Sequence, residues 1–191
     1  MRIIQKAFHL RTGLATAVLL LLLLMLALSG VISSAQNTTK SGIKNFGKVN
    51  DNYYRGSQPT RAQMADLKAM GVKTVIDLRR DYVPAERLWA REQGLTYVNI
   101  PLKSHQRATQ EQTEYFLRLV NDQGNGPFYV HCRGGKHRTG ALTAVYRITH
   151  DGWTAQQAFE EMKKYDFNDT IFGGPPDQKN FVFDFYAKWK K

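Results

Sequence analysis

Short apolar runs alternate along the chain with longer segments in which apolar residues recur at helical spacing. Three apolar runs predict buried strands, and they occupy residues 72–80, 95–102 and 127–132. Five helices are predicted between and after these runs, at residues 60–71, 84–94, 109–122, 138–152 and 154–165. Thr60 is placed as a helix cap, and Thr109 with Gln112 as a capping box. Strands that alternate with helices predict an α/β fold with a mostly parallel central sheet flanked by helices.

Two further segments follow the fifth predicted helix. Residues 181–191 have the pattern of an amphipathic terminal helix whose aromatic side chains favour core packing. Residues 168–178 are rich in Gly and Pro and are expected to fold over the sheet edge or a site near it. In a parallel sheet, such sites lie at the carboxyl ends of the strands.

The N-terminus carries a different signal. An apolar run covers residues 14–32, follows Arg2, Lys6 and Arg11, and precedes small residues suited to cleavage after Ala35. It predicts a hydrophobic helix that is either a signal peptide or an uncleaved membrane anchor. We therefore expect a signal or anchor at 1–35, a linker at 36–50 and one catalytic or binding domain at 51–191. The domain would be periplasmic or secreted, or held at a membrane by its N-terminal segment.

The chain is basic, with a formal net charge of +11, and about +8 remains without the first 35 residues, which hold three basic and no acidic residues. Nucleic acid, anionic lipid and phosphorylated small molecules all suit such a surface. Zinc-ligand spacing, arginine-rich tracts and RNA-binding aromatic motifs are absent from the sequence, so nucleic acid is not expected as a partner. The single cysteine, Cys132, excludes an internal disulfide framework.

The surroundings of this cysteine predict chemistry. Within HCRGGKHRTG (residues 131–140), Cys132 ends a predicted strand and Arg138 opens the next helix. The loop between them, here called the signature loop (residues 132–138), is long enough to turn successive N–H groups toward one anion. Gly134 and Gly135 permit positive φ angles there. The amides, the helix dipole, Lys136 and Arg138 favour a thiolate, so the sequence predicts a nucleophile beside a phosphate site.

VHCRGGKHRTG (residues 130–140) resembles the C-x5-R-[ST] loop of the cysteine-dependent protein tyrosine and dual-specificity phosphatases. YYRGSQP (53–59) and VIDLR (75–79) resemble segments at the start of compact dual-specificity domains, so the likeness covers about residues 45–165. The GKHRTG ending is similar to that of plant and fungal atypical dual-specificity phosphatases, some of which cleave inositol pyrophosphates. The resemblance implies a dual-specificity-phosphatase-like fold and a reaction without a metal or other cofactor.

The resemblance also implies roles for individual residues. Cys132 would attack phosphorus to form a phosphocysteine, and Arg138 would bind two phosphate oxygens. Thr139 would hydrogen-bond the sulfur, and His131 would be a structural neighbour that orients the loop. The implied phosphate-binding residues are Arg133, Gly134, Gly135, Lys136, His137 and Arg138.

The proton donor departs from the family pattern. Relatives place an Asp on the loop after the strand that precedes the signature strand, but here that loop reads IPLKSHQRATQEQ (100–112). His105 on this loop and Asp81 past the neighbouring strand are equal candidates, with His137 behind them. Alternatively, the leaving group is acidic enough to need no donor.

The sequence therefore supports three hypotheses for the function. The leading hypothesis is a protein tyrosine or dual-specificity phosphatase that acts through a cysteinyl-phosphate. The alternative is a phosphatase for inositol phosphates, inositol pyrophosphates or phosphoinositides, which is favoured by Arg133, Lys136 and His137. A catalytically inactive phosphate-binding module is the third, and the missing Asp is its only support.

Overall fold

A five-stranded sheet forms the centre of the structure, a computed structural model that describes residues 42–168 and 177–191. The strands are β1 (Gly47–Asn50), β2 (Tyr53–Ser57), β3 (Thr74–Arg79), β4 (Thr96–Leu102) and β5 (Phe128–Cys132). Their order across the sheet is β1-β2-β5-β3-β4. Only β1 and β2 are antiparallel among these neighbours, which confirms the predicted mostly parallel sheet.

Six α-helices are described around the sheet. They are α1 (Arg61–Ala69), α2 (Pro84–Glu92), α3 (Gln110–Asn121), α4 (His137–His150), α5 (Ala155–Lys164) and α6 (Asp177–Trp189). The predicted caps are confirmed, because Thr60 caps α1 and the capping box of Thr109 and Gln112 starts α3. The terminal helix begins at Asp177, earlier than the predicted residue 181.

Helices cover both faces of the sheet, as predicted. Alternate residues of β3 point to opposite faces, so Val75 belongs to one apolar cluster and Ile76 to the other. The larger cluster packs α3, α4, α5 and α6 against one face, and the smaller packs α1 and α2 against the other. This arrangement buries β5, whose carboxyl end lies near the middle of the sheet.

The folded unit starts before the predicted domain boundary. Ile43 is buried, and β1 lies inside the segment that the sequence analysis assigned to the linker. The linker prediction is therefore wrong for its last residues. The reason is length, because a four-residue strand with buried Gly47 and Val49 gives too short an alternation to recognise.

Several sequence predictions fall on residues outside the described part of the chain. They include the apolar segment at 14–32, the cleavage position after Ala35 and most of the Gly- and Pro-rich segment at 168–178. Within residues 42–168 and 177–191, no helix is both long enough and apolar enough to span a membrane.

Candidate active site

The signature loop lies where the sequence placed it, at the carboxyl end of β5. Cys132 is the last residue of β5 and is only 3% exposed. Four residues, Arg133–Lys136, separate it from the first residue of α4. The thiol therefore lies at the start of a tight turn that leads directly into a helix N-terminus, where the backbone N–H groups attract anions.

Hydrogen bonds from β2 and its flanking segments hold the signature loop from outside. Three successive carbonyls accept them: Arg133 O from the Gln58 N–H at 3.2 Å, Gly134 O from Asn45 Nδ2 at 2.8 Å, and Gly135 O from Arg55 Nη2 at 2.8 Å. In a trans peptide the C=O and the next N–H point in opposite directions. The following N–H groups are consequently turned away from these donors and toward the interior of the loop, where they can bind an anion.

Only one of the two loop glycines needs to be glycine. Gly135 has a φ of 69°, and a Cβ there would lie 2.5 Å from the carbonyl carbon of Gly56 and 2.7 Å from the Ser57 nitrogen. Gly134 is not among the residues with positive φ, and a Cβ there would make only ordinary contact with Lys136. The expectation that both glycines serve a left-handed conformation is corrected accordingly: Gly135 alone does.

Arg55 supports the loop from behind, and the sequence analysis gave it no role. It is fully buried on β2, and its guanidinium carbon lies 3.9 Å from the centroid of the Tyr165 ring. Burial lowers the pKa of Arg55 from its usual value, but arginine remains charged in proteins. Its Nε and Nη1 have no hydrogen-bond partner among the described residues. A signal existed in the sequence, since Arg55 belongs to the YYRGSQP segment that resembles the family.

Arg138 and Asp81 meet at the mouth of the loop. Arg138 Nη1 donates to Asp81 Oδ1 at 3.2 Å and to the Leu102 carbonyl at 3.3 Å, and Arg133 Nη2 donates to Asp81 Oδ2 at 2.7 Å. Partial burial of the carboxyl acts to raise the pKa of Asp81, but the hydrogen bond from Arg138 and the charges of both arginines outweigh it. The pKa of Asp81 is therefore lowered. Asp81 is an ionised carboxylate held by two cations.

Thr139 and Lys136 occupy different positions relative to the loop. Thr139 is fully buried in the first turn of α4, and its Oγ1 has no hydrogen-bond partner among the described residues. That hydroxyl is available to a group bound inside the loop. The Lys136 ammonium lies 3.3 Å from Asp166 Oδ2, so its side chain is engaged in an ion pair.

The two histidines that the sequence analysis named as proton-donor candidates contact each other. The ring centroids of His105 and His137 are 5.2 Å apart. His137 also packs on Phe167, and its Nε2 lies 3.2 Å from the Asn168 carbonyl. Burial lowers the pKa of His137, although the hydrogen bond to Asn168 opposes this. His105 is exposed, has a φ of 61° and accepts the Asp177 N–H on its carbonyl at 3.1 Å.

An open cavity of about 750 Å³, here called the front cavity, lies before the signature loop. Its lining residues are charged or polar: Arg80, Asp81, Lys103, Ser104, His105, Arg133 and Arg138. The structure thus brings two of the three proton-donor candidates, Asp81 and His105, into one cavity with the predicted phosphate-binding residues Arg133 and Arg138. His137 is not among the residues that line this cavity.

A buried ionic network lies behind the cysteine. Arg79 donates to both carboxylate oxygens of Asp77 and to Glu86, and His131 Nε2 lies 2.7 Å from Glu86 Oε1. Asp77, Glu86 and His131 lie close enough together to bind a metal ion in principle. Arg79 already contacts both carboxylates and offsets part of their negative charge, so the arrangement fits an ion-pair network better than a metal site. His131 is buried in this network, where its position suits the expected structural role.

Comparison with known proteins identifies the family. A family model described as DSP-PTPase phosphatase fused to NAD+ kinase matches residues 31–179, more than three quarters of the chain. The chain belongs to this family. The predicted superfamily, the cysteine-dependent phosphatases of the dual-specificity type, is thereby confirmed.

Similar proteins include enzymes that are named for two different activities. The dual specificity protein phosphatase TpbA of Pseudomonas aeruginosa is 30% identical over 125 residues, which are 65% of this chain and 56% of TpbA. The inositol diphosphatase DSP2 of Oryza sativa is 26% identical over 132 residues, which are 63% of this chain and 61% of DSP2. The matched part of the chain therefore spans less than two thirds of either relative.

Solved structures share the fold. The crystal structure of P. aeruginosa TpbA aligns with a TM-score of 0.64 at 25% identity and covers 78% of this chain and 92% of that chain. The catalytic domain of the PP-IP phosphatase SIW14 from S. cerevisiae aligns with a TM-score of 0.63 at 22% identity and covers 73% and 84%. The second likeness concerns the fold alone.

Proposed function

We propose that this chain is a phosphomonoester hydrolase that forms a cysteinyl-phosphate on Cys132. The observation that carries the proposal is the outward hydrogen bonding of three successive carbonyls in the signature loop. These hydrogen bonds turn the loop amides inward around Cys132, and Arg138 lies at the mouth of the loop. Preorganised N–H groups and a guanidinium stabilise the charge that develops on phosphate oxygens during transfer.

The reaction proceeds in two steps. The Cys132 thiolate attacks phosphorus, the bond from phosphorus to the leaving oxygen breaks, and that oxygen takes the electron pair and a proton. Water then attacks the phosphocysteine, the sulfur–phosphorus bond breaks, and phosphate and the thiolate are released. The Thr139 hydroxyl, which has no hydrogen-bond partner in the described part of the chain, is suited to donate a hydrogen bond to the departing sulfur. The loop amides and Arg138 supply the positive charge for both steps.

His105 is the proposed proton donor. It lines the front cavity on the loop after β4, and a left-handed backbone conformation holds it there. Such strained positions are common at functional sites. Asp81 is the weaker candidate, because the two arginines that contact it lower its pKa and keep it ionised. Histidine side chains are suited to proton transfer near neutral pH.

Phosphotyrosine-type protein substrates remain the leading proposal for the substrate. The similarity to the dual specificity phosphatase TpbA supports it, and a TpbA variant has been crystallised with phosphotyrosine. Inositol phosphates and pyrophosphates are the second candidate. The charged lining of the front cavity favours them, as does the similarity to an inositol diphosphatase.

A substrate panel tests the proposal. The purified full chain is assayed with a phosphotyrosyl peptide, a phosphoinositide, inositol hexakisphosphate and an inositol pyrophosphate, with and without a chelator. We expect hydrolysis of at least one of them, unaffected by the chelator and abolished in Cys132→Ser. Binding without turnover would instead establish the inactive module, and activity that depends on a divalent ion would contradict the mechanism.

A further inference from the structure

Two neighbouring cations lie beside the signature loop, at the carboxyl ends of β3 and β4. Arg79 and Leu102 pair in register, and the Arg80 N–H donates to the Leu102 carbonyl at 3.2 Å. Asn99 Nδ2 donates to the Arg79 carbonyl at 2.8 Å and fastens the two strands at this end. The residues that follow the two strands are Arg80 and Lys103. Their backbone positions therefore lie next to each other, just beyond the carboxyl ends of β3 and β4.

These two cations differ from the others around the loop in having no counter-ion among the described residues. Arg133 and Arg138 share Asp81, and Lys136 is paired with Asp166. In the described part of the chain, neither Arg80 nor Lys103 forms an ion pair, and both are exposed. Two adjacent, unbalanced positive charges make a favourable position for an anion.

The shape of the surface places such an anion next to the catalytic one. Arg80 and Lys103 line the front cavity together with Arg138. They also line a second cavity of about 260 Å³, here called the side cavity. Its other lining residues are Pro101, Gln106, Arg107, Thr109 and Gln112. Arg107 is neutralised there by Asp177 and Asp184, so the net positive charge of the side cavity comes from Arg80 and Lys103.

We propose that Arg80 and Lys103 form a second anion subsite, which binds another phosphate group of a substrate whose reacting phosphate occupies the signature loop. The inference deepens the proposed function and rests on it for the position of the reacting phosphate. The required chemistry is a molecule with at least two phosphate groups close together. Such a molecule is a polyphosphorylated inositol or a doubly phosphorylated peptide.

Binding measurements test the subsite without relying on turnover. Full-length Cys132→Ser protein is titrated calorimetrically with inorganic phosphate, inositol hexakisphosphate and a doubly phosphorylated peptide, with and without the added pair Arg80→Ala and Lys103→Ala. Hydrogen bonds from charged groups to a phosphate are the stronger kind. We expect the two added substitutions to lower the affinity for one multiply phosphorylated probe by roughly 10- to 100-fold. This loss should be at least about tenfold larger than the loss of affinity for inorganic phosphate.

The matched control removes the same charges elsewhere. Lys73→Ala with Arg91→Ala deletes one Lys and one Arg, at the amino end of β3 and in the last turn of α2. This control should leave all three affinities unchanged. The probe whose affinity falls selectively, either the inositol phosphate or the peptide, identifies the source of the second phosphate. Equal losses for phosphate and for both multiply phosphorylated probes, or the same losses in the control, would overturn the subsite. Neither outcome would affect the Cys132 chemistry, which the turnover assay tests separately.

Discussion

Replacement of Gly135 by alanine perturbs the signature loop at the position where the structure tolerates it least. The φ of 69° places a non-glycine residue in the left-handed region, which costs about 1–2 kcal/mol. The new Cβ would also lie 2.5–2.7 Å from the backbone of Gly56 and Ser57. These contacts are with backbone rather than with a flexible side chain, so overpacking adds about 1–3 kcal/mol. The total loss in free energy of unfolding is about 2–5 kcal/mol.

Thermal unfolding measures this loss. For a chain of this size, about 2–4 °C of Tm is lost per kcal/mol, so we expect Gly135→Ala to lower Tm by about 4–20 °C. Gly71→Ala is the control for backbone conformation alone, because Gly71 has a φ of 85° and no atom within 4 Å of the added Cβ. Gly134→Ala is the control for an added methyl group in the same loop, since its nearest contact is 3.6 Å.

Activity provides the second readout of the same substitution. If the loop moves to relieve the clash, the bond from Arg55 to the Gly135 carbonyl weakens and the amides leave their positions. A displacement of about 1 Å at such a site can lower the rate by about 10²-fold. Gly71→Ala should keep full activity. The reasoning is refuted if Gly135→Ala has the Tm of Gly134→Ala and the kcat/KM of the unmodified chain.

Three more outcomes are expected. Glu86→Ala removes one of the two buried carboxylates that contact Arg79 and also the carboxylate beside His131, so it should lower the free energy of unfolding in urea by about 1–3 kcal/mol; an unchanged free energy of unfolding would contradict the network. A hydrogen bond from an arginine lowers the pKa of Asp177, so this group stabilises the fold above about pH 4, and the contribution is lost as the pH falls through the lower folded-state pKa. The Tm of Asp177→Asn should therefore fall less between about pH 7 and pH 3 than the Tm of the unmodified chain, and an equal fall would contradict this. His105→Ala should slow phenyl phosphate hydrolysis by about 10²–10⁴-fold and para-nitrophenyl phosphate far less, whereas Asp81→Asn should affect both alike; the reverse pattern makes Asp81 the donor.

The sequence predicted the parts of the site that are local along the chain. Cys132 and Arg138 share one short loop, so the end of a strand, two glycines and the start of a helix sufficed to place them. The mostly parallel sheet followed from alternation between strands and helices. The sequence could not show that Gly135 rather than Gly134 has a positive φ, because only the position of β2 shows which glycine meets a neighbouring backbone.

The remaining parts depend on contacts between distant segments. Asn45 and Arg55 bind carbonyls 80 or more residues away, and no local sequence pattern predicts such pairs. The pairing of Asp81 with Arg138 and Arg133 likewise required the packing of β3 beside β5. The sequence could name Asp81 and His105 as donor candidates, but the ionised state of Asp81 follows from partners that only the fold brings together.

Direct trapping of the covalent intermediate tests the central claim. The full chain is mixed with a phosphorylated substrate, quenched in acid during turnover, digested and analysed by mass spectrometry, with Cys132→Ser as the control. Phosphocysteine is expected on the peptide that contains Cys132, and both the modification and the turnover should disappear in the variant. Turnover by Cys132→Ser near the unmodified rate, or a phosphoryl group trapped on another residue, would contradict the account.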